Sequence, residues 1–242
     1  MRLTFLFMTP LTKLTPPNLI TDATTALLVS AGSFSPPTML HLLSLEQARD
    51  HVRFVLGKTV IGGLLSPVND AYHKPSLISA AHRLQMCRLA VADSEWIDVD
   101  EWEAHQPRYV PTFRVLQHLH KTLQATAHPE WQRAQLYLVG GADLVAAMDD
   151  PAEWPPEHVE QLLTEGQLLA LPRPAASPTQ EAAFQRMLQR YPGRIHYVEQ
   201  APVVANVSAT LLRQQVARGA SIRYLTPRAV EDYIRQHRLY SQ

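Results

Sequence analysis

Residues 26–41 read ALLVSAGSFSPPTMLH, and this stretch decides the fold. Ala26 to Ser30 form a short apolar run, the mark of a buried strand, and Ala31-Gly32 closes it in a tight turn. From Thr38 the pattern changes period: Leu40, Leu43 and Leu45 fit the spacing of a helix over 38–52. Strand, glycine turn and helix follow one another within thirty residues.

The same alternation runs on down the chain. Strands are predicted at 60–65, 96–99, 135–139, 168–171 and 195–198. Helices are predicted at 79–92, 112–125, 180–189, 208–218 and 227–237, with another starting at Ala142. Strands that alternate with helices imply βαβ units, hence an α/β doubly wound parallel sheet covered on both faces. With no internal repeat and no glycine- or serine-rich linker, 26–242 reads as a single domain with a helical C-terminal part. Residues 1–25 are Thr-rich and carry no acid before Asp22. Pro10, Pro16 and Pro17 would break the amphipathic helix of a mitochondrial presequence. A mobile N-terminal extension and a cytoplasmic or nuclear address, rather than a mitochondrial one, are therefore expected.

Composition narrows the function. The 242 residues are 46% hydrophobic and 18% charged, enough apolar surface for a full core. Lys+Arg and Asp+Glu number 22 each, so no net field draws the chain to nucleic acid or to an acidic membrane. Any anion site must be assembled locally from a few groups. Cys87 stands alone, which permits no internal disulfide and argues for a reducing compartment. No run approaches the ~18 apolar residues of a membrane-spanning helix.

In an open parallel sheet the ligand lies beyond the carboxyl ends of the strands. Four segments fall there. In 32–41 a glycine turn feeds a helix whose first turn carries His41; open N–H groups and the helix dipole favour phosphate, and the imidazole can donate to charge on a phosphoryl oxygen. The bland alternative is a surface turn with a half-buried histidine. In 66–74 Lys74 is either an anion ligand or a solvated loop lysine. In 140–143 Gly140-Gly141 admits close approach of a ligand, with Asp143 either accepting from ribose hydroxyls or capping a helix. In 207–213 Ser208 and Thr210 open a helix one turn ahead of Arg213, a polyphosphate grip or a plain N-cap. Other patterns fail. Gly57-Lys58-Thr59 lacks the first P-loop glycine because position 52 is Val, no H-E-x-x-H occurs, and one Cys makes no structural zinc site. No metal site is expected from side chains.

Taken together the segments resemble the eukaryotic-type nicotinamide/nicotinate mononucleotide adenylyltransferases of the nucleotidyltransferase superfamily. GSFSPPTMLHL (32–42) is similar to that family's G-S-F-N-P-x-T-x-x-H-L. SPVNDAYHKPSLISAAHR (66–83) is similar to S-P-V-x-D-A-Y-x-K-x-x-L-I-x-A-x-H-R. VDEWEAHQPRYVPTFRVLQH (99–118), GADL (141–144) and VSATLLRQQVARGASIRYLTP (207–227) continue the likeness, which spans about Leu27 to Tyr240. It implies a Rossmann-like fold and adenylyl transfer from ATP, with Mg²⁺ on its phosphates, to a pyridine mononucleotide, releasing pyrophosphate. The resemblance also assigns residues. His41 and Arg213 would be catalytic. Gly32, Ser33, Phe34, His41, Gly141, Asp143, Ser208, Thr210 and Arg213 would bind ATP. Lys74, Trp102, Tyr109, Thr112 and Trp154 would bind the mononucleotide, the ring held between Tyr109 and Trp154.

Ser35 stands where the family has Asn, Ala209 where it has a second Ser, and Leu211 where Lys often appears. Two other readings follow: a nucleotidyltransferase with a different acceptor, or a nucleotide-binding or chaperone-like protein whose catalysis has decayed. Amide against acid preference and self-association into a homo-oligomer are left open.

Overall fold

A computed structural model describes residues 11–20, 24–72, 74, 76–172, 177–199, 201 and 206–241. The expectations for 1–10 and 21–23 lie outside the described residues. In chain order the elements are β1 (Thr25–Gly32), α1 (Met39–Phe54), β2 (Thr59–Pro67), α2 (Ala80–Ala90), β3 (Ile97–Val99), α3 (Thr112–Gln124), α4 (Pro129–Gln132), β4 (Gln135–Gly141), α5 (Ala142–Ala147), α6 (Pro156–Glu165), β5 (Gln167–Leu171), α7 (Pro178–Arg190), β6 (Ile195–Tyr197), α8 (Ala209–Ala217) and α9 (Arg228–Gln236).

All six strands are parallel, in the order β3-β2-β1-β4-β5-β6. The strand order reverses between β1 and β4, so their carboxyl ends frame the crevice where such sheets bind ligands. The unbroken apolar run of β1 is explained by its neighbours. Leu27 and Val29 face a core shared with α3, α6 and α7. Ala26 and Leu28 face a second core shared with α1 and α2. Both faces are covered, as expected for a doubly wound sheet, and burying each such Leu or Val stabilises the fold by roughly 1.5–3 kcal/mol. The C-terminal helices close a third cluster, in which Leu212, Val230 and Ile234 meet Met86 and Ala90 of α2.

The short α4, the helix α6 and the packing of residues 11–20 were absent from the sequence reading. α6 begins with Pro156 at its first position and buries Val159, Leu162 and Leu163. Residues 11–20, assigned above to the extension, lie against the domain. Thr15 N–H donates to Ile61 at 2.7 Å, Lys13 Nζ to the Val91 and Ile97 carbonyls at 2.7 and 3.0 Å, and Leu14 is buried in the first core. Among the described residues no helix is long and apolar enough to cross a membrane.

Candidate active site

The corner after β1 is built around Phe34, whose φ of 44° turns the chain sharply and whose ring is buried. A non-glycine residue in this region costs on the order of 1–3 kcal/mol and persists only where its surroundings hold it. Here the buried ring does so. Thr38 then caps α1: its hydroxyl accepts from His41 N–H, and the Thr38 N–H donates to His41 Nδ1 at 2.9 Å. A backbone N–H can only donate, so Nδ1 carries no proton and the neutral imidazole holds it on Nε2. The Phe34 ring meets the imidazole edge-on at 5.0 Å. The histidine is thus fixed in one tautomer, with Nε2–H as its donor.

The corner is braced from behind by a residue the sequence reading did not single out. Arg83, on α2, is fully buried. Its Nε donates to the Ile78 carbonyl at 2.9 Å, Nη1 to the Ser33 carbonyl at 3.2 Å and Nη2 to Asp70 at 3.1 Å. Asp70 also accepts from Ala80 N–H at 2.7 Å, capping α2 from ten residues upstream. One guanidinium therefore ties the loops after β1 and β2 to the start of α2. Its motif context was visible, but an arginine on a helix gives no sign of whether it is buried.

A cavity of about 390 Å³ opens over this corner, lined among others by Ser33, Thr38, His41, Lys74, Asp143, Ser208 and Thr210. Ser208 is both N-cap and cavity wall: its hydroxyl accepts from Leu211 N–H at 3.1 Å. The alternative of Asp143 as a helix cap gives way to Gly141, which occupies the N-cap of α5 and leaves Asp143 in its first turn. Arg213 bridges α8 to the β1 corner, donating to the Ser35 carbonyl at 2.8 Å and to Thr210 Oγ1 at 3.1 Å. Gln180, Glu181 and Phe184 of α7 complete the wall. They carry no motif and reach the site through topology alone.

A second cavity, of about 520 Å³, adjoins the first, and Ser33 and Lys74 line both. Tyr109, Thr112 and Trp154 line it as the resemblance implies, joined by Tyr72, Glu103, Phe113 and His158; Gly32, which the resemblance assigns to ATP, lines this cavity and not the first, because the end of β1 faces the junction. Tyr109 lies 6.3 Å from Tyr72 in a stacked arrangement. Pro111 is the N-cap of α3 and offers no side-chain cap, so the helix presents open N–H groups beside the cavity. Glu103 is 3% exposed, and burial, then the neighbouring Asp100, push its carboxyl up to about 8 against the opposing pull of Arg83.

The structure thus gathers Gly32, Ser33, His41, Lys74, Tyr109, Thr112, Asp143, Trp154, Ser208 and Thr210 around two joined cavities. Phe34, Gly141 and Arg213 support the walls without lining them. Trp102 stands behind the wall, stacked on His118 at 4.4 Å and 7°.

A family model described as Cytidylyltransferase-like matches residues 29–215. The chain is 36% identical over 233 residues to a nicotinamide/nicotinic acid mononucleotide adenylyltransferase of Arabidopsis thaliana, covering 96% of this chain and 97% of that protein. It is 31% identical to the corresponding protein 1 of Bos taurus (91% of this chain, 90% of that one) and 33% identical to protein 2 of Caenorhabditis elegans (89% and 97%).

Proposed function

The chain belongs to the nicotinamide/nicotinic acid mononucleotide adenylyltransferase family, and on that premise we propose how its two cavities divide the work. The enzyme transfers the adenylyl group of ATP to a pyridine mononucleotide, giving NAD or its deamido form and pyrophosphate. The observation that carries the division is the junction: two adjoining cavities share Ser33 and Lys74 at the switch point of the sheet.

ATP enters the first cavity as its Mg²⁺ complex. The metal comes with the phosphates, where its charge offsets the charge displaced onto pyrophosphate; hard oxygen ligands and retained waters suit it to that role. The open N–H groups of α8 and the Thr210 hydroxyl grip the triphosphate, Arg213 holds Thr210 and the β1 corner from behind and adds its positive charge, and His41 Nε2–H donates to a phosphoryl oxygen. The mononucleotide occupies the second cavity, its ring against Tyr109 and Trp154 and its phosphate at Lys74. Ring faces attract a pyridinium cation.

At the junction an oxygen of the mononucleotide phosphate attacks the α-phosphorus of ATP. A new P–O bond forms, the bond from the α-phosphorus to the α–β bridging oxygen breaks, and pyrophosphate departs with that electron pair. The attacking phosphate is already anionic, so no side chain need accept a proton and no protein nucleophile is required. The chain's contribution is alignment and charge stabilisation.

The test is pyrophosphate release by the purified protein with ATP and Mg²⁺. Release with nicotinamide or nicotinate mononucleotide, and none with phosphopantetheine, is expected. Release with phosphopantetheine alone would assign another acceptor, and none with any acceptor would favour the decayed-enzyme reading. The expectations of a cytoplasmic or nuclear address and of self-association belong to the proposal; fluorescence microscopy and light scattering test them.

A further inference from the structure

Glu103 lines the mononucleotide cavity, yet the proposed reaction gives it no role. It is 3% exposed and lines the cavity, with Asp100 and Arg83 acting on its carboxyl from the protein side. A carboxyl so nearly buried carries a large desolvation cost, and the cavity it lines is where a ligand group can offset that cost. We infer that Glu103 distinguishes the amide from the acid mononucleotide by facing the substituent on the pyridine ring. The inference rests on the adenylyl-transfer reading and names the ring substituent that the same site selects.

The complementarity is specific. A carboxamide presents one acceptor, its C=O, and one donor group, its NH₂. A carboxylate presents acceptors on both sides. The cavity offers the same division: open N–H groups at the start of α3, beside Thr112, and the carboxyl of Glu103. An amide fits with its oxygen on α3 and its NH₂ toward Glu103, ionised or not. A carboxylate fits only while Glu103 holds a proton to donate, because two carboxylates facing each other in a buried site repel. Glu103 also lies close enough to Tyr109, on the ring-binding wall, to help hold that phenol above its ordinary value, behind burial and Tyr72.

With burial holding the Glu103 carboxyl at about 8, the residue is largely protonated near neutrality and both mononucleotides are accepted. Ionisation at higher pH leaves the amide unaffected and excludes the acid. Several other charged or titratable groups face this region. Arg83 from α2 and Asp100 from the loop after β3 act directly on Glu103. His118 of α3 feels Asp100. Tyr72, Lys74, Tyr109, Glu153 and His158 line the cavity. All of them are common to the wild type and to Glu103→Gln, and the mononucleotide phosphate is common to both substrates, so the ratio of the two substrates in the two proteins isolates Glu103.

The experiment measures kcat/KM for nicotinamide and nicotinate mononucleotide across the pH range. In the wild type the amide-to-acid ratio should rise about tenfold from about pH 7 to about pH 9, the span over which a group titrating near 8 passes from mostly protonated to mostly ionised. Glu103→Gln, which keeps a donor at every pH, should hold the ratio flat. A flat ratio in a wild type that turns over, or an unchanged slope in Glu103→Gln, overturns the inference. If neither mononucleotide is turned over, the adenylyl-transfer reading fails, and calorimetric binding of the two mononucleotides over the same range still decides the role of Glu103. Intact thermal unfolding of the variant guards against a folding artefact.

Discussion

In the proposed reaction His41 holds two separable jobs, helix cap and phosphate donor, and replacing it in two ways pulls them apart. In His41→Ala the Thr38 N–H loses its 2.9 Å acceptor at the start of α1. Leaving a buried donor without a partner costs about 1–3 kcal/mol, which for a chain of this size lowers Tm by roughly 2–4 °C per kcal/mol. The same variant loses the Nε2–H donor to the reacting phosphate, a loss on the order of a hundred- to a thousandfold in kcat. Gln is an ordinary third residue of a capping box, so in His41→Gln its carbonyl oxygen can accept from Thr38 and restore Tm without presenting an imidazole donor to the site. Pyrophosphate release at saturating ATP and mononucleotide, read beside thermal unfolding, separates the two. The alanine variant should lose both stability and rate, and the glutamine variant only rate. Wild-type kcat in His41→Ala, or full rescue by Gln, would reduce His41 to a helix cap and remove it from the chemistry.

Three further outcomes follow from the same geometry. Trp154→Ala should raise KM for the mononucleotide roughly tenfold, the worth of a lost aromatic wall, and leave KM for ATP nearly unchanged; equal shifts in both constants in steady-state assays would place the ring elsewhere. Arg83→Met leaves the Ser33 and Ile78 carbonyls without their donor and should destabilise the fold by about 2–4 kcal/mol in urea unfolding, discounted because its partner Asp70 is solvent-exposed. Glu103 also predicts a pH dependence of stability. Between its unfolded value of about 4.3 and about 8 the folded chain keeps a proton that the unfolded chain releases, so stability falls as pH rises through that window. Glu103→Gln should therefore gain on the wild type in Tm from pH 5 to pH 8; a constant difference would contradict the burial argument.

The period change from β1 to α1 was legible because burial on both faces leaves a strand with no polar position, whereas α1 exposes one side. The four ligand segments were legible for a related reason: strand ends in a parallel sheet are where the chain turns toward ligand. α6 escaped because Trp154-Pro155-Pro156 reads as a turn, although proline at the first helical position suits a helix start and Val159, Leu162 and Leu163 keep its spacing. The packing of residues 11–20 escaped because their prolines argue against an amphipathic helix but say nothing about a turn and a short 3-10 helix, Pro17–Leu19, docked beside β2. Trp102 was placed by its neighbours in sequence, but its ring turns to His118. Glu103, one residue on, is the group that lines the cavity.

The electrostatic problem of the reaction explains why the shared residues sit where they do. Two phosphates brought to about 4 Å repel by about 4 kcal/mol per pair of unit charges at an effective dielectric of 20. A protein with 22 basic and 22 acidic side chains has no overall field to offset this. The compensation must be local, and β1 is the strand whose exit is flanked by both β2 and β4. Its corner can therefore serve both substrates at once, with Ser33 in both walls, while Lys74 comes from the loop after β2 and Arg213 crosses from α8 to the Ser35 carbonyl. Ala209 and Leu211 remove a hydroxyl and a cation from the family pattern at α8. They leave the helix N–H groups, Thr210 and Arg213, and the charge at the junction itself is untouched. The departures should therefore weaken the hold on ATP before they slow the transfer step.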